Sequence, residues 1–168
     1  HPKLAFLMPT AHNPSVVSLS YERRKAVAEV ARKYNVTLIE DDLYGAMTDD
    51  ETPLLAEFAP ERTFVVGGFS KSVAAGIRGG WVSCPAHFSQ RVSNAHKMVT
   101  GGMPFMLGEL CARLAMTGEA DDIRRQAIAE ISRREAMVRR VFEGYELASR
   151  PGVPFFWFKL PDPWLSGI

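Results

Sequence analysis

The sequence predicts an α/β fold in which a mostly parallel sheet is flanked by helices. Short apolar runs of β-type residues alternate with stretches of helical period, in the order strand, helix, strand, connection, strand. This order is typical of parallel strands joined by right-handed crossovers. Polar residues follow each of the first three runs. One edge of the sheet is therefore expected to hold a ligand site.

Composition restricts the possible functions. The chain has 168 residues, is 46% hydrophobic and carries a net charge of +1, so it gives no electrostatic indication of nucleic-acid binding. No apolar run approaches the roughly 18 residues of a membrane span. The cysteines and histidines lack metal or redox spacing. We expect a cytoplasmic protein without a metal site or disulfide. Because the chain starts without Met, close to a strand, we also expect a fragment of a longer protein.

The first half of the chain supplies the strands of the sheet. Residues 4–8 form an apolar run that ends at Pro9 and predicts a strand buried on both faces. Ser18 or Ser20 is expected to cap a helix that Asn35 ends. Its predicted apolar stripe is Val27, Val30, Ala31 and Tyr34, and its charged residues, which include Arg24, cover the rest. Further strands are predicted at 36–39, 63–66 and 80–84.

The second half is predicted to be mainly helical. Helices are expected at 85–97, at 104–116 and at about 121–147, and the second of these is apolar enough to be buried. A last strand is predicted at 155–160. We expect residues 1–117 to form part of a large domain, 118–150 a long connecting helix, and 151–168 the start of a small α+β domain.

Polar side chains follow the first three predicted strands. Asn13 lies past the first strand, Asp41 and Asp42 end the second, and Lys71 comes just after the third. A lysine at a buried strand end is costly unless it is paired or neutralised, and a neutral lysine is the nucleophile that carbonyl chemistry needs. A surface loop is the alternative explanation of Lys71. A buried Asp41 or Asp42 would need a cation or hydrogen-bond donors, and Lys71 and a cationic ring nitrogen are two candidate partners.

Three motifs resemble those of the large domain of fold-type I, pyridoxal-phosphate-dependent aminotransferases. Residues 13–15, Asn-Pro-Ser, match the family's Asn-Pro-Thr-Gly loop. Residues 41–44, Asp-Asp-Leu-Tyr, match its Asp-x-x-Tyr. Ser70-Lys71 and the following Gly76-Ile77-Arg78 match its Ser-Lys with a trailing Gly-x-Arg. The motifs occur in the family's order, and the resemblance covers essentially the whole chain.

The resemblance implies a role for each matched residue. Lys71 would form the Schiff base with the aldehyde of pyridoxal 5'-phosphate and then shuttle protons. Asp41, which fits the spacing to Tyr44 better than Asp42 does, would pair with the pyridinium nitrogen. The other matched residues would bind polar groups of the cofactor: Tyr44 and Asn13 the 3′ oxygen, Ser70 and Arg78 the phosphate.

Two departures from the family pattern are visible. The stretch 68–71, Gly-Phe-Ser-Lys, lacks the first serine of Ser-x-Ser-Lys, so one phosphate hydroxyl is missing. Val16 stands where the Asn-Pro loop has glycine. The family's upstream phosphate loop, ring-stacking aromatic and substrate-binding arginine are not matched in these 168 residues. We therefore expect this polypeptide alone to be catalytically inactive.

Longer stretches are similar to the MocR-type branch of the GntR-family bacterial regulators. They are residues 8–14, 20–31, 41–45, 70–78 and 156–164. This similarity implies a homodimer that senses an amino acid or amine through the cofactor. DNA would be bound only through a winged helix-turn-helix outside this chain. The alternatives are a free-standing aminotransferase and a cofactor-free structural or dimerisation domain.

Overall fold

A computed structural model describes residues 2–160 and 162–164. Four strands form the main sheet in the order β1 (Leu4–Leu7), β2 (Thr37–Asp41), β3 (Thr63–Gly68) and β4 (Gly80–Ser83). β1, β2 and β3 run parallel, and β4 runs antiparallel to β3. The predicted α/β class with a mostly parallel sheet is confirmed. The predicted small domain includes Pro161 and residues 165–168, which lie outside the described residues.

Six α-helices in the described ranges flank or follow the sheet. They are α1 (Tyr21–Lys33), α2 (Leu55–Phe58), α3 (Phe69–Ser72), α4 (Ser89–Thr100), α5 (Phe105–Thr117) and α6 (Glu119–Val141). None of them combines the length and hydropathy that crossing a bilayer requires.

The long helix α6 ends at Val141, before the predicted end at Leu147. Gly144 adopts a positive φ of 88°, a conformation that reverses the chain after a helix. Leu147 then belongs to strand β5 (Leu147–Ala148), which pairs antiparallel with β6 (Trp157–Phe158). The last predicted strand is thus present but short.

The buried face of α1 differs from the predicted stripe. Ser20 caps the helix by accepting a hydrogen bond from the Arg23 amide at 3.3 Å, as expected. The buried residues are Arg24, Ala28 and Ala31, whereas Val30 is exposed. The assignment of Arg24 to the charged outer surface was wrong. Its guanidinium is fully buried because backbone carbonyl oxygens surround and accept from it.

Glu40 lies inside β2, which extends two residues beyond the predicted strand end at 39. It is fully buried and accepts hydrogen bonds from the Leu55 amide at 3.0 Å and the Ala56 amide at 3.2 Å. Burial raises the pKa of Glu40, although these hydrogen bonds oppose the rise. Both amides lie at the start of α2, where backbone N–H groups lack helical partners. The carboxylate therefore joins β2 to α2.

Two elements predicted to be buried are exposed over part of their surface. On α5, Cys111 and Leu114 are buried, but Phe105 is 83% and Met116 87% exposed. On β1, Leu4 and Phe6 are also exposed, because they share the less covered face of the strand, whereas Ala5 and Leu7 on the other face pack against a core cluster. The prediction of a buried helix and of a strand buried on both faces was therefore wrong for these residues.

Candidate functional site

The carboxyl ends of the three parallel strands bring the predicted site residues to one edge of the sheet. Leu7 of β1 pairs with Glu40, and Asp41 pairs with Val66 of β3. The loop that carries Asn13 therefore leaves the sheet beside the end of β2. Lys71 lies in α3, which begins directly after β3. The parallel register explains how residues this far apart in sequence reach the same rim.

Lys71 and Tyr44 are in contact at this rim. The Lys71 Nζ atom lies 5.9 Å from the centroid of the Tyr44 ring. Tyr44 is 6% exposed, and its ring meets Phe155 edge to face at 5.0 Å between centroids. Within residues 2–160 and 162–164, no hydrogen bond or ion pair occupies the Lys71 amine. Lys71 is exposed, so its amine lies beside an aromatic ring and in reach of solvent, without a polar partner in the described ranges.

Asp41 ends β2 and is half-buried. Its Oδ1 accepts a hydrogen bond from the Leu43 amide at 3.1 Å, which fixes the carboxylate in its own turn. No ion pair joins Lys71 to Asp41 or Asp42 among the described residues, so the lysine is not the partner of either acid. Pairing of Asp41 with the ring nitrogen of a ligand therefore stays a prediction.

Asp42 occupies a different environment from Asp41. Its Oδ1 is buried without a hydrogen-bond partner, and a Cβ placed on Gly45 would lie 2.1 Å from that oxygen. Burial, followed by the charge of Glu40, raises the pKa of Asp42 to about 6. The side chain lines a pocket of about 300 Å³ together with Thr10 and Asp50. Asp42 therefore faces a polar pocket beside the Gly45 turn.

We expect Asp42→Asn to stabilise the full-length protein in a pH-dependent way. Because the folded-state pKa of about 6 lies above the unfolded value of 3.8, the folded state binds the proton more tightly and loses stability as pH rises between them. The variant should gain about 1–2 kcal/mol of unfolding free energy at pH 7 and almost nothing near pH 4, after allowance for partial solvent access. Urea denaturation across this range measures the gain, with exposed Asp122→Asn as control. A gain that does not change with pH would contradict the assignment.

Ser70 and Arg78 lie at the same end of the β3–β4 pair. Gly68 is paired with Gly80, so Ser70 and Arg78 each lie two residues beyond that pair. The Phe69 amide donates to the Gly79 carbonyl at 3.1 Å and closes the connection. A serine hydroxyl and a guanidinium at one strand end are suited to bind an anion.

Arg78 has a strained backbone that its neighbour helps to fix. Its φ is 54°, in the left-handed region that residues other than glycine rarely adopt. Next to it, a Cβ on Gly79 would lie 2.2 Å from Cys111 Sγ, so α5 packs where a side chain would not fit. The Arg78 side chain is exposed and has no hydrogen-bond or ion-pair partner in the described part of the chain. Strain at an exposed arginine suggests a functional side chain.

Asn13 belongs to a loop that packs beneath Tyr44. Ala11 and Val16 of this loop have φ values of 46° and 65°, and both are buried with Tyr44 and Val153 in one apolar cluster. The Asn13 side chain is exposed and forms no hydrogen bond to any described residue. The structure thus gives the Asn13 loop and Tyr44 a common apolar support but no hydrogen bond between the two side chains.

Sequence reasoning missed the residues that hold these loops in place. Arg24, Arg150 and Val153 were not assigned to the site, yet they contact its loops. For Arg150 and Val153 the only local signal is a Pro-Gly turn between them, which does not indicate a distant contact.

Comparisons with known proteins identify the family. Residues 3–147 match the family described as aminotransferase class I and II. The chain belongs to this family. The resemblance stated from the three motifs is therefore confirmed.

This aminotransferase-family chain is similar to both regulators and enzymes. The uncharacterized HTH-type transcriptional regulator YdeF of Bacillus subtilis is 32% identical over 157 residues, which are 93% of this chain and 34% of that protein. Aromatic-amino-acid aminotransferase 1 of Thermococcus litoralis is 28% identical over an alignment of 169 positions that covers 95% of this chain and 40% of the enzyme. The chain is thus an aminotransferase-like domain homologous to HTH-type regulators.

A solved structure confirms the fold of this aminotransferase-like domain. The crystal structure of Pyrococcus horikoshii kynurenine aminotransferase, in complex with PMP, superposes with a TM-score of 0.78 at 26% identity. The match covers 96% of this chain and 42% of that one. The chain therefore spans less than half the length of these relatives, as part of a larger fold.

Proposed function

We propose that this chain is the pyridoxal-phosphate-binding effector domain of a MocR-type, GntR-family transcriptional regulator. The observation that supports it best is the unpaired Lys71 amine, 5.9 Å from the Tyr44 ring at the end of a parallel strand. The similarity to YdeF over 93% of the chain favours a regulator. The effector would be an amino acid or amine. The protein would be a cytoplasmic homodimer that binds DNA through a domain outside this chain.

The donor set at the rim fits pyridoxal phosphate. The ligand combines an aldehyde, a basic ring nitrogen, a phenolic oxygen and a phosphate, and when bound it supplies an electron-withdrawing ring. Lys71 would react with the aldehyde, and Asp41 would hold the proton on the ring nitrogen. Two residues would bind the phosphate, Ser70 and Arg78. Two would donate to the phenolic oxygen, Tyr44 and Asn13.

The domain division inferred from the sequence is part of this proposal. Residues 1–117 would belong to the cofactor-binding large domain, and 118–150 would connect it to a small domain that starts at 151. α6 ends at Val141 and β5 lies at Leu147–Ala148, so the helical part of the connection is shorter than 118–150.

A free-standing aminotransferase is the second candidate. The similarity to the Thermococcus litoralis enzyme over 95% of the chain favours it. The two candidates use the same cofactor site and differ in what precedes it in the full-length protein. A winged helix-turn-helix upstream would support the regulator, and its absence would support the enzyme.

Reductive labelling tests the cofactor site. We expect borohydride treatment of the full-length protein loaded with pyridoxal phosphate to place a pyridoxyl group on Lys71, identified by peptide mass mapping. Lys71→Ala should lose this label, while the exposed control Lys97→Ala should keep it. A label on another lysine would refute the assignment of Lys71, and the absence of any label would favour a cofactor-free structural or dimerisation domain.

A further inference from the structure

Arg150 follows β5 and reaches back to both loops that carry the candidate site. Its guanidinium donates to Asp49 Oδ1 at 2.7 Å, to Asp50 Oδ2 at 3.3 Å and to Ser18 Oγ at 3.0 Å. Asp49 and Asp50 follow the short helical turn Gly45–Met47, which comes directly after Tyr44. Ser18 lies at the end of the loop that carries Asn13. One side chain thus joins three stretches that are far apart in sequence.

Ser18 and Asp50 extend this contact into both loops. The Ser18 hydroxyl accepts a hydrogen bond from the Ala11 amide at 3.0 Å, so Arg150 and Ala11 meet at one oxygen. Asp50 accepts from the Thr52 amide at 3.0 Å. Burial raises the pKa of Asp50, but hydrogen bonds from Thr52, Ser18 and Arg150 outweigh it and lower the pKa to about 2. The Arg150–Asp50 pair therefore stays charged at neutral pH.

The residues that follow Arg150 pack behind Tyr44. Gly152 has a φ of 79°, and a Cβ on it would lie 2.0 Å from the Met47 carbonyl oxygen. Val153 is 2% exposed and belongs to the same apolar cluster as Tyr44. Phe155 contacts the Tyr44 ring edge to face. The Lys71 amine lies 5.9 Å from the centroid of the same Tyr44 ring. The position of segment 150–155 therefore affects the distance between that ring and the lysine.

We propose that Arg150 is a positioning residue that holds segment 150–155 against the loops of Asn13 and Tyr44 and thereby sets their place relative to Lys71. The consequence for ligand binding rests on the proposed function, whereas the coupling of the loops does not. Loss of the guanidinium removes hydrogen bonds to both loops at once. It also leaves the buried Asp50 without one of its donors.

The test compares Arg150→Met, Arg150→Lys and the exposed control Arg133→Met in the full-length protein. For Arg150→Met we expect faster amide hydrogen exchange at 11–17 and 44–48, with α4 unchanged. Affinity for pyridoxal phosphate should fall about tenfold, the scale of one charge-assisted hydrogen bond. The pH midpoint of the visible absorption band should also shift, because Tyr44 lies beside the lysine. Arg150→Lys should give smaller changes, and Arg133→Met none.

Ser18→Ala provides a milder second variant in case Arg150→Met does not fold. It should speed exchange at 11–17 more than at 44–48, because it removes the oxygen that Arg150 and Ala11 share. Unchanged exchange in both loops of Arg150→Lys and Ser18→Ala would overturn the proposal. If the wild type binds no pyridoxal phosphate, the proposed function fails, and hydrogen exchange still decides the coupling.

Discussion

Replacing Arg24 with methionine should lower the unfolding free energy of the full-length protein by about 3–5 kcal/mol, the usual cost of breaking a buried charged network. The guanidinium is fully buried. It donates to the Leu19, Thr52, Pro53 and Pro9 carbonyl oxygens and to Thr10 Oγ1, at 2.9 to 3.3 Å. Methionine fills a similar volume but removes the donor from these five acceptors and the cation that lies 3.9 Å from Asp50.

Arg23→Met is the matched control for this prediction. Arg23 is the neighbouring residue on the same helix and is exposed, so its replacement should change the free energy by less than about 0.5 kcal/mol. Arg24→Lys should lie between the two, because one ammonium cannot serve acceptors spread over five positions. Urea denaturation measures all three. A loss below about 1 kcal/mol for Arg24→Met would show that water or another donor replaces the guanidinium.

The strands and the shared rim could be predicted because their causes are local. β-type runs that end in polar residues and alternate with helical stretches indicate parallel strands, and parallel strands necessarily place Asp41 and Lys71 at one edge. The helical phase of α1 could not be found in this way. An argument from hydrophobic periodicity assigns every arginine to the exposed face of a helix. Arg24 is buried because it donates to the carbonyl oxygens of residues 9, 52 and 53, which are distant in sequence.

The supports of the site escaped prediction for a related reason. Arg150 contacts residues about 100 and 132 positions earlier, a relation that no local pattern contains. The apolar character of α5 predicted burial, but composition shows only that a surface can be buried, not that a neighbour is present. Pairings between distant segments are thus the part of this fold that a single sequence leaves open.

Arg78→Gln should lower the affinity of the full-length protein for pyridoxal phosphate about 100-fold, while its affinity for pyridoxal, which has no phosphate, should not change. A guanidinium that binds phosphate through two charge-assisted hydrogen bonds accounts for an effect of this size. Glutamine suits this test because it keeps the left-handed backbone at φ 54°, whereas glycine would relieve the strain and confuse the comparison. Absorbance titration of the cofactor-free protein with each ligand gives both affinities.

The comparison of two ligands separates phosphate binding from a structural role of Arg78. Arg78→Lys should recover part of the affinity for pyridoxal phosphate, since it keeps the charge but loses the planar pair of donors. Arg113→Gln, an exposed arginine paired with Glu109 on α5, should affect neither ligand. Equal weakening of both ligands by Arg78→Gln would mean that the side chain supports the fold of the β3–β4 connection. The strain at φ 54° would then be a cost of closing this connection, and the phosphate would have to be bound by other residues.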